Sequence, residues 1–214
     1  MNETDIHCIF GMRESGKSYL TAKLADTHAR VIVFDRLKEW HTIRPDCIAD
    51  SYSSFARIFH ALHTHDSYRI SVQFRRGVSE DELTQETESI LRLIYDYGFA
   101  RNRNHDPYPV TLVFEELQFY CNPHGIPPML SEILFTGRHA KIGIIANTQR
   151  PANIHKGFVS QANHLYVGRL FEKRDIEYLT QSSFGTDALQ AINLKQFHFL
   201  HKAYGQPTRL VTPT

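Results

Sequence analysis

Cysteine is scarce in this chain: Cys8, Cys47 and Cys121 are three residues in 214. They are odd in number, widely spaced and form no C-x-x-C pair, which argues against a disulfide framework and a cysteine-based zinc site. Long apolar runs are also missing, and none approaches the ~18 residues that a membrane-spanning helix needs. Charge of one sign is not in excess, because 24 basic residues face 23 acidic ones for a formal net charge of +1. No global field therefore attracts a polyanion, and any contact with nucleic acid has to come from local patches. Residues 1–5 are acidic and lack the basic-then-apolar order of a secretory leader. These absences together point to a reduced, cytosolic, soluble protein.

What is present is a pattern of short apolar runs alternating with amphipathic stretches from end to end. That alternation predicts a single α/β domain over residues 1–214 with a mainly parallel sheet flanked by helices. Strands are expected at residues 6–10, 31–34, 69–74 (nearer an edge), 110–114, 142–146 and 164–167. The clearest helix is expected from Glu80 to Tyr97, with Leu83, Ile90, Leu91, Ile94 and Tyr95 on one face, capped by Ser79. Residues 101–107 read as a polar loop, and Pro127-Pro128 opens another helix. Further helices are expected at residues 173–181 and 187–192. Residues 196–201 and 208–211 suggest a closing C-terminal hairpin across Gly205.

Between the first strand and a helical stretch at residues 19–25 lies Gly11-Met12-Arg13-Glu14-Ser15-Gly16-Lys17-Ser18, which fills G-x-x-x-x-G-K-[ST]. Glycines let such a loop curl until its backbone N–H groups face a phosphate, and the helix N-terminus adds positive potential. The pattern predicts a P-loop that binds ATP through Gly11, Arg13, Glu14, Ser15, Gly16, Lys17, Ser18 and Tyr19. Lys17 is expected on the β- and γ-phosphates, and the Ser18 hydroxyl on Mg²⁺.

Residues 110–114 run straight into Glu115-Glu116. An apolar strand ending in carboxylates, well downstream of a phosphate loop, is what Mg²⁺-dependent hydrolysis requires. Glu115 is expected to hold the metal or one of its waters, and Glu116 to orient and deprotonate the attacking water. The loop and the acid pair are expected side by side in a doubly wound sheet. Gln149, at the exit of the next strand, is placed to sense the γ-phosphate and the lytic water.

The block from Thr136 to Pro151, TGRHAKIGIIANTQRP, resembles the HerA–FtsK superfamily of DNA-pumping ATPases. In that family an arginine-bearing helix end leads into an apolar strand closed by T-Q-R-P or S-Q-R-P. Residues 152–162 resemble its "PxxIxxxxxSQA" segment, and Asp35-Arg36-Leu37-Lys38-Glu39-Trp40 its "DPxxEW" element. The resemblance spans residues 6–180. The compact length is most similar to the genome-packaging ATPases of icosahedral viruses with an internal membrane. One departure is Glu115, where the family has aspartate.

The resemblance implies a RecA-like P-loop fold and a ring, usually a hexamer, that translocates double-stranded DNA by ATP hydrolysis. It also implies a nucleotide at each subunit boundary, completed by an arginine from the neighbour. Arg138 matches that position best, and Arg150 is second. The implied setting is the host cytoplasm or the virion, with capsid or membrane vertex proteins as further partners. Candidate DNA contacts are Arg75, Arg76, Arg101, Arg103 and Lys156. The run His60-Ala61-Leu62-His63-Thr64-His65 reads as an exposed helix end rather than a metal site. Two alternatives stay open: an ATPase for virion assembly or protein extrusion, and a nucleotide-switched scaffold that does not hydrolyse.

Overall fold

The computed structural model describes residues 2–38 and 45–213. Glu39 and Trp40, which end the "DPxxEW" element, lie outside the described residues. The strands are β1 (Ile6–Phe10), β2 (Arg30–Phe34), β3 (Cys47–Ala49), β4 (Tyr68–Val72), β5 (Val110–Phe114), β6 (Ile142–Thr148), β7 (His164–Val167), β8 (Phe199–Ala203) and β9 (Arg209–Val211). The helices are α1 (Lys17–Ala25), α2 (Tyr52–Leu62), α3 (Glu80–Arg103), α4 (Pro128–Thr136), α5 (Lys156–Gln161) and α6 (Lys173–Leu179). Among the described residues the strands form one sheet in the order β3-β4-β2-β5-β6-β1-β7-β8-β9. Pairing is parallel from β3 to β7, and β8 and β9 add antiparallel at the edge.

Period-two alternation decides which face each strand residue serves. Cys8, Phe10, Phe34, Phe114, Ile144 and Val167 point into a large core shared with helices α2 to α6. Their neighbours Ile9, Val33, Val113, Ile145 and Tyr166 point the other way, into a smaller core closed by α1. Both faces of the central strands are therefore covered, which is why β5 and β6 are buried along their whole length.

Three expectations need correction. The phosphate loop and the acid pair are not on adjacent strands, because β6 lies between β1 and β5. The strand expected at residues 69–74 forms near an edge as β4, with only the short β3, unforeseen in the sequence, paired outside it. The helix begun at Glu80 runs six residues past Tyr97, to Arg103, so Arg101 and Arg103 occupy its last turn and not a loop. It passes through Gly98 because a Cβ there would stand 2.4 Å from the Ala140 carbonyl oxygen, a close approach that only glycine allows. It stops at Asn104, just before Asp106-Pro107, where the residue preceding proline disfavours the helical region. The C-terminal hairpin forms, but from β8 and β9; residues 196–197 lie ahead of it and serve the phosphate loop instead. Ser79 does cap α3, accepting from the Glu82 N–H at 3.2 Å.

Candidate nucleotide-binding and hydrolytic site

Residues 11–16 leave β1 and are pinned on three sides. The Gly11 N–H donates to the Thr148 carbonyl at 3.2 Å, and the Met12 N–H to the Arg169 carbonyl at 2.8 Å. From the far end of the chain, the Phe197 N–H donates to the Ser15 carbonyl at 3.0 Å. The loop closes through Gly16 at φ 98°, where a Cβ would meet the Phe197 ring at 2.5 Å. Chirality and packing thus both demand glycine at this position. Helix α1 then starts with no side-chain cap among the described residues, so its first N–H groups face outward toward an anion.

A cavity of about 340 Å³ opens above this turn. Arg13, Glu14, Gly16, Lys17, Ser18 and Tyr19 line it together with Leu37, Glu116, Gln149 and Gln196. The volume falls at the small end of ligand clefts, roughly 300–1,000 Å³. Gly11 and Ser15 are buried beneath the turn and shape it rather than line the cavity. Lys17 is 7% exposed, donates to the Met12 carbonyl at 3.4 Å, and stands 3.9 Å from Glu116 Oε1. Burial lowers its pKa, while Glu116 and Glu115 oppose the shift. The ammonium is held by weak partners that a phosphate can replace.

The two carboxylates differ sharply in surroundings. Glu116 adopts φ 53°, a left-handed conformation rare for a side-chain-bearing residue, and this turns it out of the strand toward Lys17. Its carboxylate accepts from Gln149 Nε2 at 2.7 Å, the Gln149 N–H at 3.2 Å and Gln118 Nε2 at 2.8 Å. Its own N–H donates to Asn147 Oδ1 at 3.1 Å, and Asn147 Nδ2 donates to Thr21 Oγ1 of α1 at 3.0 Å. Asn147 is fully buried, so one amide fixes β6, β5 and α1 together. Thr148 extends the lattice: its hydroxyl donates to Gln118 and accepts from the Arg150 N–H.

Glu115 remains in strand alternation and is buried on the same side of the sheet as Val113. Its Oε1 has no hydrogen-bond partner among the described residues. Burial pushes its pKa up to about 7, against a hydrogen bond from Asn147, and the nearby Glu116 and Asp35 charges add to the rise. An orphaned, desolvated carboxylate oxygen close to Glu116 and Lys17 suits a hard cation that takes oxygen ligands, which fits Mg²⁺. The longer glutamate is therefore compatible with the metal's donor set.

The structure brings Lys17, Glu116 and Gln149 to one cavity, with Glu115 beneath it. It does not bring Arg138 there. Arg138 is exposed and borders a cleft with Thr4, Ile6, Ile142 and Asn163, where β1, β6 and β7 begin, at the opposite pole of the sheet. Arg150 sits at the phosphate-loop pole but is paired within its own chain, 3.1 Å from Glu172 and 3.5 Å from Asp175. The candidate DNA contacts do not converge. Arg75 and Arg76 follow the end of β4, and Arg75 pairs with Asp50. Arg101 pairs with Asp106 and bonds the Tyr97 hydroxyl. Arg101 and Arg103 end the helix that leads into the start of β5, at the other pole. Lys156 opens α5.

The sequence reading missed Asn147, Gln118, Thr148, Leu37 and Gln196. Asn147 lies within TGRHAKIGIIANTQRP, and an uncharged amide inside an otherwise apolar strand was the available signal. Nothing local marks Gln196, which reaches the cavity only because the chain returns there 180 residues after the loop.

No protein-family model matches the chain, and no curated protein matches it in sequence. Solved structures do resemble it. The genome packaging NTPase B204 from Sulfolobus turreted icosahedral virus 2, in complex with ATP-gammaS, superposes with a TM-score of 0.75 at 21% identity, covering 100% of this chain and 99% of that one. The DNA-packaging ATPase B204 from Sulfolobus Turreted Icosahedral Virus gives 0.72 at 20% identity, covering 100% of each chain. VirB4 of Thermoanaerobacter pseudethanolicus gives 0.70 at 10% identity, covering 100% and 91%. The fold is thus the one these structures share, the mainly parallel sheet flanked by helices of P-loop NTPases that the sequence predicted.

Proposed function

We propose that this chain is the ATPase of a ring motor that packages or translocates double-stranded DNA, driven by Mg²⁺-dependent ATP hydrolysis. The observation that carries the reading is the convergence of Lys17, Glu116 and Gln149 on one cavity from the ends of β1, β5 and β6. Full-length likeness to two viral genome-packaging ATPases supports the choice of cargo.

In this reading the nucleotide phosphates lie on the N–H groups of residues 13–18, with Lys17 on the β- and γ-oxygens. Ser18 and Glu115 hold Mg²⁺, which supplies charge neutralisation at the phosphates when bound. Glu116 takes a proton from the attacking water as the water oxygen bonds the γ-phosphorus and the bond to the bridging oxygen breaks. In the structure Glu116 is engaged by three donors, two of them from Gln149. Arrival of the γ-phosphate gives Lys17 and the Gln149 amide a stronger acceptor and releases Glu116 to the water. Phosphate departure restores the lock, so the exit of β6 moves with each turnover.

Arg138 acts in trans: its place at the far pole suits a head-to-tail ring in which one surface completes the neighbour's site. Arg150 is the alternative and would first have to leave Glu172 and Asp175. Among the described residues, no helix is long and apolar enough to cross a membrane, and the motor acts from the host cytoplasm or on the virion.

The test is steady-state ATP hydrolysis across protein concentrations, with and without duplex DNA. The rate per subunit is expected to climb with both. Lys17→Ala is expected to lose nucleotide binding. Glu116→Gln is expected to bind ATP and hydrolyse it ~10²–10⁴-fold more slowly, as loss of a general base does. DNA-stimulated turnover retained in either variant overturns the proposal, and stimulation by a protein but not by DNA transfers the motor to another cargo.

A further inference from the structure

At the opposite pole from the nucleotide cavity, the α1-facing side of the sheet carries a row of histidines. His7 of β1 and His164 of β7 are directly paired across the parallel ladder, and Tyr166 pairs with His201 of β8 in the antiparallel one. The His7 and His164 rings stack at 4.6 Å, and His164 lies 5.3 Å from the His201 ring. Asp5 stands just before β1. Its position is set by the backbone, with its carbonyl accepting from the Ile144 N–H at 3.1 Å.

Three observations on this cluster point the same way. One ligand atom from each of Asp5, His7 and His164 lies within 4.8 Å of the others, and Asp5 Oδ2 is 3.5 Å from His164 Nε2. Donors bound at the ~2.0–2.2 Å typical of a transition metal lie about 3–3.5 Å apart, the spacing of the Asp5–His164 pair. His7 is 1% exposed, and neither ring nitrogen has a hydrogen-bond partner among the described residues. A buried imidazole with both nitrogens unused is rare, because a desolvated lone pair costs free energy unless something meets it. The other nitrogen of His164, Nδ1, is 3.1 Å from His201 Nε2. That is how a ligating histidine is fixed: the far ring nitrogen donates to a neighbour, which selects the tautomer and aims the near one.

We propose that Asp5, His7 and His164 form a binding site for a divalent first-row transition-metal ion, with His201 orienting His164 from behind. Two imidazoles and one carboxylate favour zinc, cobalt or nickel over magnesium, so the site is chemically separate from the nucleotide's cation. Bound metal ties the segment before β1 to β7 and, through His201, to the β8–β9 edge. The chain leading into β8 also supplies Phe197 to the phosphate loop, so metal braces the far end of that support.

The test uses the full chain without an affinity tag, stripped by a chelator and held in millimolar Mg²⁺ to occupy oxygen-only sites. Zinc is titrated by calorimetry, and cobalt by its visible d–d absorption. One equivalent of zinc per chain is expected, with a rise in Tm and a cobalt spectrum of four- or five-coordinate intensity. Asp5→Asn and His164→Gln, both at partly exposed positions, should weaken zinc by ~100-fold or more, and His201→Ala by ~10-fold. His63→Ala, in the separate α2 cluster, should change nothing. Circular dichroism of the stripped variants establishes that they are folded. Absence of stoichiometric zinc binding, or binding that survives Asp5→Asn and His164→Gln, overturns the proposal. None of these readouts involves ATP hydrolysis, so failure here leaves the motor reading untouched.

Discussion

Asn147→Ala is the substitution in which stability and catalysis are most tightly joined. The side chain is fully buried; it accepts from the Glu116 N–H at 3.1 Å, donates to Thr21 Oγ1 at 3.0 Å and also bonds the Glu115 carboxyl. Two buried neutral bonds are together worth about 2 kcal/mol, and the partners left behind are orphaned in the interior, which adds about 1–3 kcal/mol more for the worse-placed one. Glu116 also relies on this bond to hold its left-handed backbone, a conformation that costs about 1–3 kcal/mol and relaxes once the anchor goes, offsetting part of the loss. The expected net destabilisation is about 3 kcal/mol, or a Tm fall of about 6–12 °C for a chain of this size. Urea unfolding followed by circular dichroism measures it as a shift in midpoint at constant slope. Thr21→Val removes only one bond and should cost about 1–2 kcal/mol. The double variant should fall short of the sum by about 1 kcal/mol, because the threonine hydroxyl is no longer orphaned. In the same proteins ATP hydrolysis should drop with Asn147→Ala while ATP affinity barely changes, since the residue touches Glu115 and Glu116 but does not line the cavity. A loss under 1 kcal/mol, or strict additivity with Thr21→Val, would refute the network argument.

Other expectations follow from the same site. Glu115 is protonated in the fold up to about pH 7, against an ordinary value of 4.5, so the native state binds the extra proton. Stability from this group is full below pH 4.5 and is lost as pH rises through 7, by about 3 kcal/mol at most. Wild type minus Glu115→Gln, measured by urea unfolding of the nucleotide-free protein from pH 4.5 to 8, should show that slope, and parallel curves contradict the burial argument. Gln149→Ala removes the side-chain donor on Glu116 at 2.7 Å and the γ-phosphate sensor together. Its kcat should fall ~10²-fold or more with ATP affinity within a few-fold of wild type, as read by turnover and nucleotide titration. Gly16→Ala forces a Cβ into both a positive φ and the Phe197 ring, so ATP binding measured by calorimetry should be lost even where the protein remains folded.

Much of this protein is legible in its sequence because the relevant physics is local. Residues 6–10, 110–114 and 164–167 form strands at the expected boundaries, since apolar runs of four or five residues have few other ways to bury both faces. The phosphate loop is readable because its geometry needs two glycines and a lysine at fixed spacing, and all of them lie within eight residues. The acid pair and Gln149 are likewise marked by their places at the ends of apolar strands. Chain order alone cannot say that β6 threads between β1 and β5, because the sequence of a parallel strand carries no record of its neighbours. The left-handed turn at Glu116, the Asn147 bridge to Thr21 and the return of Gln196 and Phe197 to the loop are decided by contacts between residues 30 to 180 positions apart. The histidine row is the clearest case. His7, His164 and His201 are unremarkable one by one in a chain with thirteen histidines. Only strand register, which sets β7 beside β1 and β8 beside β7, puts their rings on one face within reach of Asp5.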